Sequence, residues 1–344
     1  MNKKRFYSIL LAALLLYVFF FLPVPYYVER PGNAVAIGPM VEVEGNSEEN
    51  NGELMLTTIE LFRATPFTAL FQFLPFHSGV GENQLLGQFE DYSEYRTLQR
   101  YYMENSINMA KAAAFSEADL PHDVDYRGVY VMNVSNQSNF LGLIETGDGI
   151  REVNGHSFLN TEEFVDLISS KAEGESIRLT VERDSEEMIV EEELIVLEET
   201  GQPGIGISLV TRSLVETTPT VSIRSGNIGG PSAGLLFALE VYSQITDQPF
   251  NDLKIAGTGT INDQGVVGRV GGVDKKVVAA DREGVDIFFV PDDIIEDDLL
   301  LSYPAIQSNY QTALETAEAI DTEMEIVAVN HFSEAISYLY DLDR

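Results

Sequence analysis

Ser232 lies in Gly230-Pro231-Ser232-Ala233-Gly234, between the β-rich Val221–Arg224 and a stretch with an apolar face of Leu235, Leu236, Leu239 and Tyr242. That order predicts a strand, a Gly-rich loop and a helix, with Pro231 in the first helical turn, where its missing N–H costs nothing. A serine so placed stands among free backbone N–H groups at the positive end of a helix, a setting that favours an alkoxide or oxyanion and hence nucleophilic acyl chemistry. The plain alternative is a capping serine. The segment also satisfies Gly-x-Ser-x-Gly, the nucleophile elbow of hydrolases with a histidine base, and of the four histidines only His331 follows it. An elbow, however, needs a strand running directly into its turn, and seven residues, Ser225 to Pro231, intervene here.

A second unusual segment follows: Ala256-Gly257-Thr258-Gly259-Thr260-Ile261, then Gly265-Val266-Val267-Gly268-Arg269-Val270-Gly271-Gly272-Val273-Asp274-Lys275-Lys276-Val277-Val278-Ala279-Ala280. It is not a phosphate cradle. No Gly-x-x-x-x-Gly-Lys-Ser/Thr occurs, and Asn262 stands where a dinucleotide motif wants its third glycine, so no ATP and no cofactor is expected. Together with Gly-Pro-Ser-Ala-Gly, these residues resemble the proteolytic domain of Lon-type peptidases over about 204–292. The resemblance implies a serine nucleophile, Ser232, a lysine base, Lys276 rather than Lys275, and a supporting threonine, Thr258. Candidate oxyanion donors are the backbone N–H groups of Ser232, Gly230 and Gly229. Many Lon enzymes carry an acid three residues before the serine, where this chain has Gly229. A lysine acts as a base only when neutral, so its pKa must fall from about 10.4 towards roughly 7–8. Burial by Val277, Val278 and the alanine pair, the helix dipole and repulsion from Lys275 would each push it down; Asp274 would oppose them if it faced the site.

Upstream, Gly128-Val129-Tyr130-Val131-Met132-Asn133-Val134 and Gly147-Asp148-Gly149-Ile150-Arg151-Glu152-Val153-Asn154-Gly155 precede a helix from Thr161 and a strand over Ser176–Arg183. This order resembles a PDZ domain of the bacterial protease type over about 122–198. The resemblance implies a peptide docked as an added strand, its terminus held by the loop at Gly128 and its side chains against Val129, Val131 and Val165. Asp123-x-Asp125-x-Arg127 is not a calcium loop: a cation holds the fifth position and no Glu the twelfth. No metal site is expected.

The amino terminus carries the one basic patch, Lys3, Lys4 and Arg5, before an uncharged run from Phe6 to Val28. A helix of that length spans a hydrocarbon core of about 30 Å. No Ala-x-Ala cleavage site follows, so the reading is an uncleaved anchor with the tail cytoplasmic and everything after Tyr26 outside the cell. The Phe- and Leu-dense stretch from Phe67 to Phe76 would either lie on the membrane surface or pack on a domain. Strands are expected over Ala34–Ile37, Val41–Val43 and Leu54–Leu61, and a helix over 89–115.

The 344 residues hold 21 Lys+Arg against 55 Asp+Glu, a net charge of −34 that excludes a nucleic-acid partner. Zero cysteines exclude disulfides, thiol nucleophiles and thiolate metal sites. Acid runs such as Asp292-Asp293…Glu296-Asp297-Asp298 read as a solvated face.

The expected fold class is α+β: a transmembrane helix, a PDZ-like β-rich module and a Lon-type proteolytic α/β domain. The expected segments are a tail 1–5, an anchor 6–25, strands and a helix 28–118 packing on the catalytic domain, the PDZ-like module 122–198 inserted between them, and the Lon-like domain 204–344. This layout resembles the membrane-anchored PDZ/Lon-like serine proteases of Gram-positive bacteria, some of which process secreted pheromone peptides. Its implied partners are a peptide or protein substrate, the cell membrane and, as in Lon rings, further copies of the chain. The readings held against it are a non-catalytic surface scaffold and a Ser-His-Asp hydrolase.

Overall fold

The uncharged amino-terminal run forms helix α1 (Lys3–Phe21), none of whose side chains is buried, and the chain leaves it at Pro23 and Pro25. By length and composition α1 is able to cross a membrane. The computed structural model describes residues 3–45, 52–86, 92–183, 185–197, 200–248, 253–295 and 306–342. The acids Glu296, Asp297 and Asp298 and the first residues of the expected helix, 89–91, lie outside them.

After α1 come β1 (Tyr26–Ala36), β2 (Val41–Val43), β3 (Glu53–Arg63), β4 (Ser78–Gly81) and helices α2 (Glu82–Leu86) and α3 (Tyr92–Glu117). A second group follows: β5 (His122–Val134), β6 (Gly149–Val153), β7 (His156–Ser157), α4 (Thr161–Ser169), β8 (Ser176–Arg183), β9 (Glu186–Glu193), the short pair β10 (Ile195–Val196) and β11 (Pro203–Gly204), and β12 (Ile207–Thr217). The last group is β13 (Val221–Ile223), α5 (Gly234–Thr246), β14 (Lys254–Gly257), β15 (Thr260–Ile261), β16 (Val267–Gly268), α6 (Val273–Arg282), β17 (Ile287–Pro291), α7 (Asn309–Ile320), β18 (Glu325–Val329) and α8 (Phe332–Leu342).

Two six-stranded sheets organise these elements. The first has the order β18-β17-β14-β3-β1-β4, so strands from the amino terminus complete a sheet begun by the carboxy-terminal third. β14 is parallel to both β17 and β3, with Gly257 opposite Leu56. β3 then continues seven residues further, to Arg63, paired with β1. At about 3.3 Å per residue this overhang carries the sheet roughly 20 Å from the carboxyl end of β14 towards the end of α1. The core of this unit buries Leu235, Leu236, Phe237 and Leu239 of α5, Ala110, Ala113 and Ala114 of α3, and Phe289 of β17.

The second sheet has the order β12-β5-β6-β8-β9, with β7 paired to β6. Its membership corrects one expected boundary: β12 (Ile207–Thr217) pairs along β5 and belongs to the PDZ-like sheet, not to a catalytic unit starting at 204. The module is inserted in the chain between the two parts of the first sheet. Its Gly147-Asp148 motif has a structural cause. Asp148 is buried; one carboxylate oxygen accepts the Glu145 N–H at 2.8 Å, and the pair of oxygens takes Arg183 Nε at 2.8 Å and Nη2 at 2.7 Å. The carboxylate thus ties the loop before β6 to the end of β8. Asp148→Asn should lower stability by about 1.5–3 kcal/mol, the usual worth of hydrogen bonds to a charged group, read as a shift of the denaturant midpoint of the full chain.

Candidate functional site

Helix α5 starts at Gly234, so Pro231 and Ser232 lie in the turn that feeds it rather than in its first helical turn. Two groups hold this turn from the sheet side. The Gly259 N–H donates to the Ser232 carbonyl at 2.9 Å, and Thr258 Oγ1 donates to the same oxygen at 3.2 Å. Helix α3 holds it from the other side: Gly230 N–H donates to the Gln99 carbonyl at 2.8 Å, and Ser106 Oγ donates to the Pro231 carbonyl at 2.8 Å. Gln99 and Ser106 are two turns apart and share one helix face.

Lys276 comes from α6, whose start is a left-handed Gly272 (φ 63°); its carbonyl accepts the N–H groups of Lys275 and Lys276. The left-handed backbone favours glycine here, and a Cβ at Gly272 would also meet the end of the Ile59 side chain, 2.2 Å from its Cδ1. The Lys276 side chain is 4% exposed. Its Nζ lies 2.8 Å from Ser232 Oγ and 2.8 Å from Thr258 Oγ1. Burial lowers its pKa from 10.5 to about 7. Desolvation is the cause; the neighbouring lysine is not, because Lys275 Nζ pairs with Asp274 at 3.3 Å and Glu29 at 3.9 Å. Asp274 therefore serves Lys275 and does not restore the charge of Lys276.

The structure thus brings Ser232, Lys276 and Thr258 together. It withholds one expected group, because the Gly230 N–H is spent on Gln99. Among the described residues the N–H groups of Gly229, Ser232 and Ala233 have no acceptor. The missing acid at Gly229 also gains a cause: a Cβ there would lie 2.8 Å from Gln99 Cβ and 3.2 Å from the Gln99 backbone. Helix α3 occupies the space a carboxylate would need. No catalytic pattern in the sequence of α3 points to the site; the usable signal is the small-residue run Ala112–Ala114, which permits close approach to another helix.

His331 is engaged elsewhere. Its Nδ1 meets Ser333 Oγ at 2.8 Å and its Nε2 meets the Gln264 carbonyl at 2.9 Å. The nearest strand before Ser232 ends at Ile223, so the strand-to-turn geometry of an elbow is absent as well.

The expected peptide groove needs correction. Val129 and Val131 are fully buried core residues. β5 has both edges filled, by β12 at Val129 and Val131 and by β6 at Val129, and takes no added strand. The strand beside α4 with an edge unpaired among the described residues is β12. Thr161 at the start of α4 bonds Thr211 of β12 at 3.1 Å between hydroxyls. Val165 on α4 is 48% exposed, and Leu209 and Ile207 of β12 are partly buried against the module's core. Gly206, at φ 71°, turns the chain into β12, the role given to Gly128 in the sequence reading. Gly128, at φ 88°, is packed against the Ile150 carbonyl instead. The signal missed was Gly204-Ile205-Gly206-Ile207, a Gly-x-Gly turn into an alternating strand.

Two predictions follow from burial and space. Between pH 7 and 10.5 the unfolded chain binds the Lys276 proton and the folded chain does not, so this residue's contribution makes stability rise with pH over that window. Lys276→Met should therefore stabilise the protein most below pH 7 and converge with wild type near pH 10.5, measured by denaturant midpoints across pH. Gly229→Asp should cost about 1–3 kcal/mol, the usual penalty of overpacking, because α3 must shift; a thermal melt checks it.

Residues 221–339 match the family profile of the Lon protease (S16) C-terminal proteolytic domain, and residues 103–194 match the PDZ domain. The chain is 36% identical over 107 residues to the Lon protease of Clostridioides difficile, covering 31% of this chain and 12% of that one. It is 31% identical over 108 residues to the Lon protease of Endomicrobium trichonymphae, again 31% and 12% of the two chains. The chain thus spans about an eighth of the length of these relatives. The PDZ domain of the SdrC-like protein from Listeria monocytogenes is 34% identical, with 26% of this chain and 93% of that one covered and a TM-score of 0.25. In family terms, the chain joins a PDZ domain to a proteolytic domain of the Lon (S16) serine peptidases.

Proposed function

We propose that the chain is a membrane-anchored serine endopeptidase that cleaves peptides or protein segments outside the cell with Ser232 as nucleophile and Lys276 as base. The observation that carries this reading is the 2.8 Å approach of a buried, near-neutral Lys276 Nζ to Ser232 Oγ. In the forward step neutral Nζ takes the Ser232 hydroxyl proton as Oγ attacks the peptide carbonyl. The resulting oxyanion meets the N–H groups of Ser232 and Ala233 at the head of α5, where the helix end favours negative charge. The ammonium of Lys276 then returns the proton to the departing amine, leaving an acyl-enzyme that water hydrolyses with Lys276 again as base. Thr258 Oγ1 holds the amine at the correct distance and spends its own hydrogen on the Ser232 carbonyl.

No step consumes ATP, and the sequence holds no Walker-type loop, so the proposed reaction is ATP-independent. The PDZ domain would dock substrate along the outer edge of β12, with Val165 and Leu209 in the groove. Secreted peptides, including pheromone-type signals, and exposed segments of membrane proteins both fit a site carried on an anchor. The direction of β14 and β3 supports the second class as well: the carboxyl end of β14, where Thr258 follows, faces the anchor along the β3 overhang.

Ser232→Ala and Lys276→Ala should each cut peptide cleavage by about a thousandfold or more, the scale on which loss of a nucleophile or its base acts; product detection by mass spectrometry checks it, and cleavage surviving both substitutions would sink the dyad. Wild-type kcat should rise with pH through about 7 and then level, as Lys276 loses its proton. Thr258→Val should lower kcat about tenfold, the equivalent of roughly 1.4 kcal/mol. Val165→Glu should raise KM for long peptides and spare a short reporter; equal loss on both would contradict docking on β12.

A further inference from the structure

The stretch from Ala64 to Phe76 carries no charged side chain in a protein of net charge −34. It folds as a tight loop around a 3-10 turn over Thr68–Phe73 that buries none of its side chains. Phe73 is 78% exposed, Leu70 53%, Leu74 49% and Phe67 36%. Solvated surface loops do not ordinarily display four such side chains together.

Its backbone is closed on itself. Thr65 and Thr68 exchange bonds, each N–H donating to the other's hydroxyl at 2.8 and 3.2 Å, and the N–H groups of Ala69, Leu70, Leu74 and His77 donate to carbonyls within the loop. Little main chain is left asking for water, which is the condition for entering an apolar phase.

The loop is also continuous with α1. Phe67 N–H donates to the Phe19 carbonyl at 3.1 Å, one of the orphan acceptors of the helix's last turn. The Phe67 ring packs on Phe19 and Phe20 with centroids 5.9 and 4.9 Å away. Tyr26 Oη, just beyond the helix, donates to Gln72 Oε1 at 2.7 Å. Whatever surrounds the last turn of α1 therefore meets Phe67, Leu70, Phe73 and Leu74 too.

We infer that this loop is a second membrane contact, a seat whose Phe67, Leu70, Phe73 and Leu74 enter the headgroup and acyl boundary of the outer leaflet beside α1. The inference rests on reading α1 as the anchor. A protein held by one helix alone would be free to swing. The seat adds a second contact and orients the first sheet, whose β1 begins at Tyr26 and whose β4 follows the loop, relative to the bilayer.

The chain contains no tryptophan, so single Trp reporters can be placed in the full chain reconstituted in nanodiscs. Phe73→Trp tests the seat, Leu14→Trp tests the anchor, and the 66% exposed Ile189→Trp gives the solvent baseline. The expected result is blue-shifted Phe73→Trp emission that brominated phospholipid quenches by roughly half or more, as for side chains about 5–10 Å into the interface. Solvent-like, unquenched emission from Phe73→Trp with quenched Leu14→Trp overturns the seat and leaves the anchor. Blue-shifted but unquenched emission also overturns it, since the ring then packs on protein. If neither reporter is quenched, seat and anchor fall together.

Discussion

Much of the catalytic half depends on keeping one amine out of water. Lys276 Nζ is enclosed by α6, the turn before α5 and the strand end at Thr258, and among the described residues its close polar company is two hydroxyl groups. An ammonium there lacks the hydration that would make it the stable form, so its proton is released near neutrality. The surroundings serve that single constraint. Lys275 is drawn off by Glu29 and Asp274, Gly272 lets α6 begin close to β3, and Gly257 lets β14 approach β17, where a Cβ would come within 2.7 Å of the Phe289 carbonyl. Acids are abundant in the chain, yet none pairs with Lys276 among the described residues.

Helix α3 links this site to the PDZ domain physically. On one side it bonds the serine turn through Gln99 and Ser106. On the other it bonds β12, with Asn108 Nδ2 donating to the Ser213 carbonyl at 2.8 Å and Ser213 Oγ donating to Asn105 Oδ1 at 3.2 Å. Tyr101 and Tyr130 add an aromatic contact at 4.2 Å between centroids, and Arg212 caps Tyr130 at 4.9 Å. β12, whose outer edge is unpaired among the described residues, and the turn that carries Ser232 are thus held by one helix. It buries Ala110, Ala113 and Ala114 against the catalytic core and Leu98 against Met132 and Val210 of the PDZ sheet.

The amino-terminal part is equally a component of the catalytic unit. β3 and β1 are interior strands of the first sheet, and Thr57 Oγ1 donates to the Gly257 carbonyl at 3.2 Å beside Thr258. A proteolytic domain cut at the start of its family match would expose the β14 edge and remove the wall that Ile59 provides at Gly272. The overhang of β1 and β3 beyond β14 joins that wall to the segment that follows α1.

The amino-acid sequence by itself determined what is local. The apolar run of α1, the Ser and Lys motifs with their glycines, the strands of the PDZ module and the start of α4 at Thr161 all follow from residue type and spacing along a continuous segment. Ser232 stands out by its place in a Gly-rich turn before a helix, whereas Thr258 and Lys276 are singled out by the resemblance of their motifs to Lon-type peptidases. Only the tertiary structure decided which strand beside α4 has an edge unpaired among the described residues, since edge status depends on β12, which pairs from outside the recognisable motif. It also decided that the Gly230 N–H is occupied and Gly229 is crowded, because Gln99 reaches them from about 130 positions away in the chain. Burial of Lys276 is likewise a property of packing: a lysine acquires a pKa near 7 only when distant elements close over it.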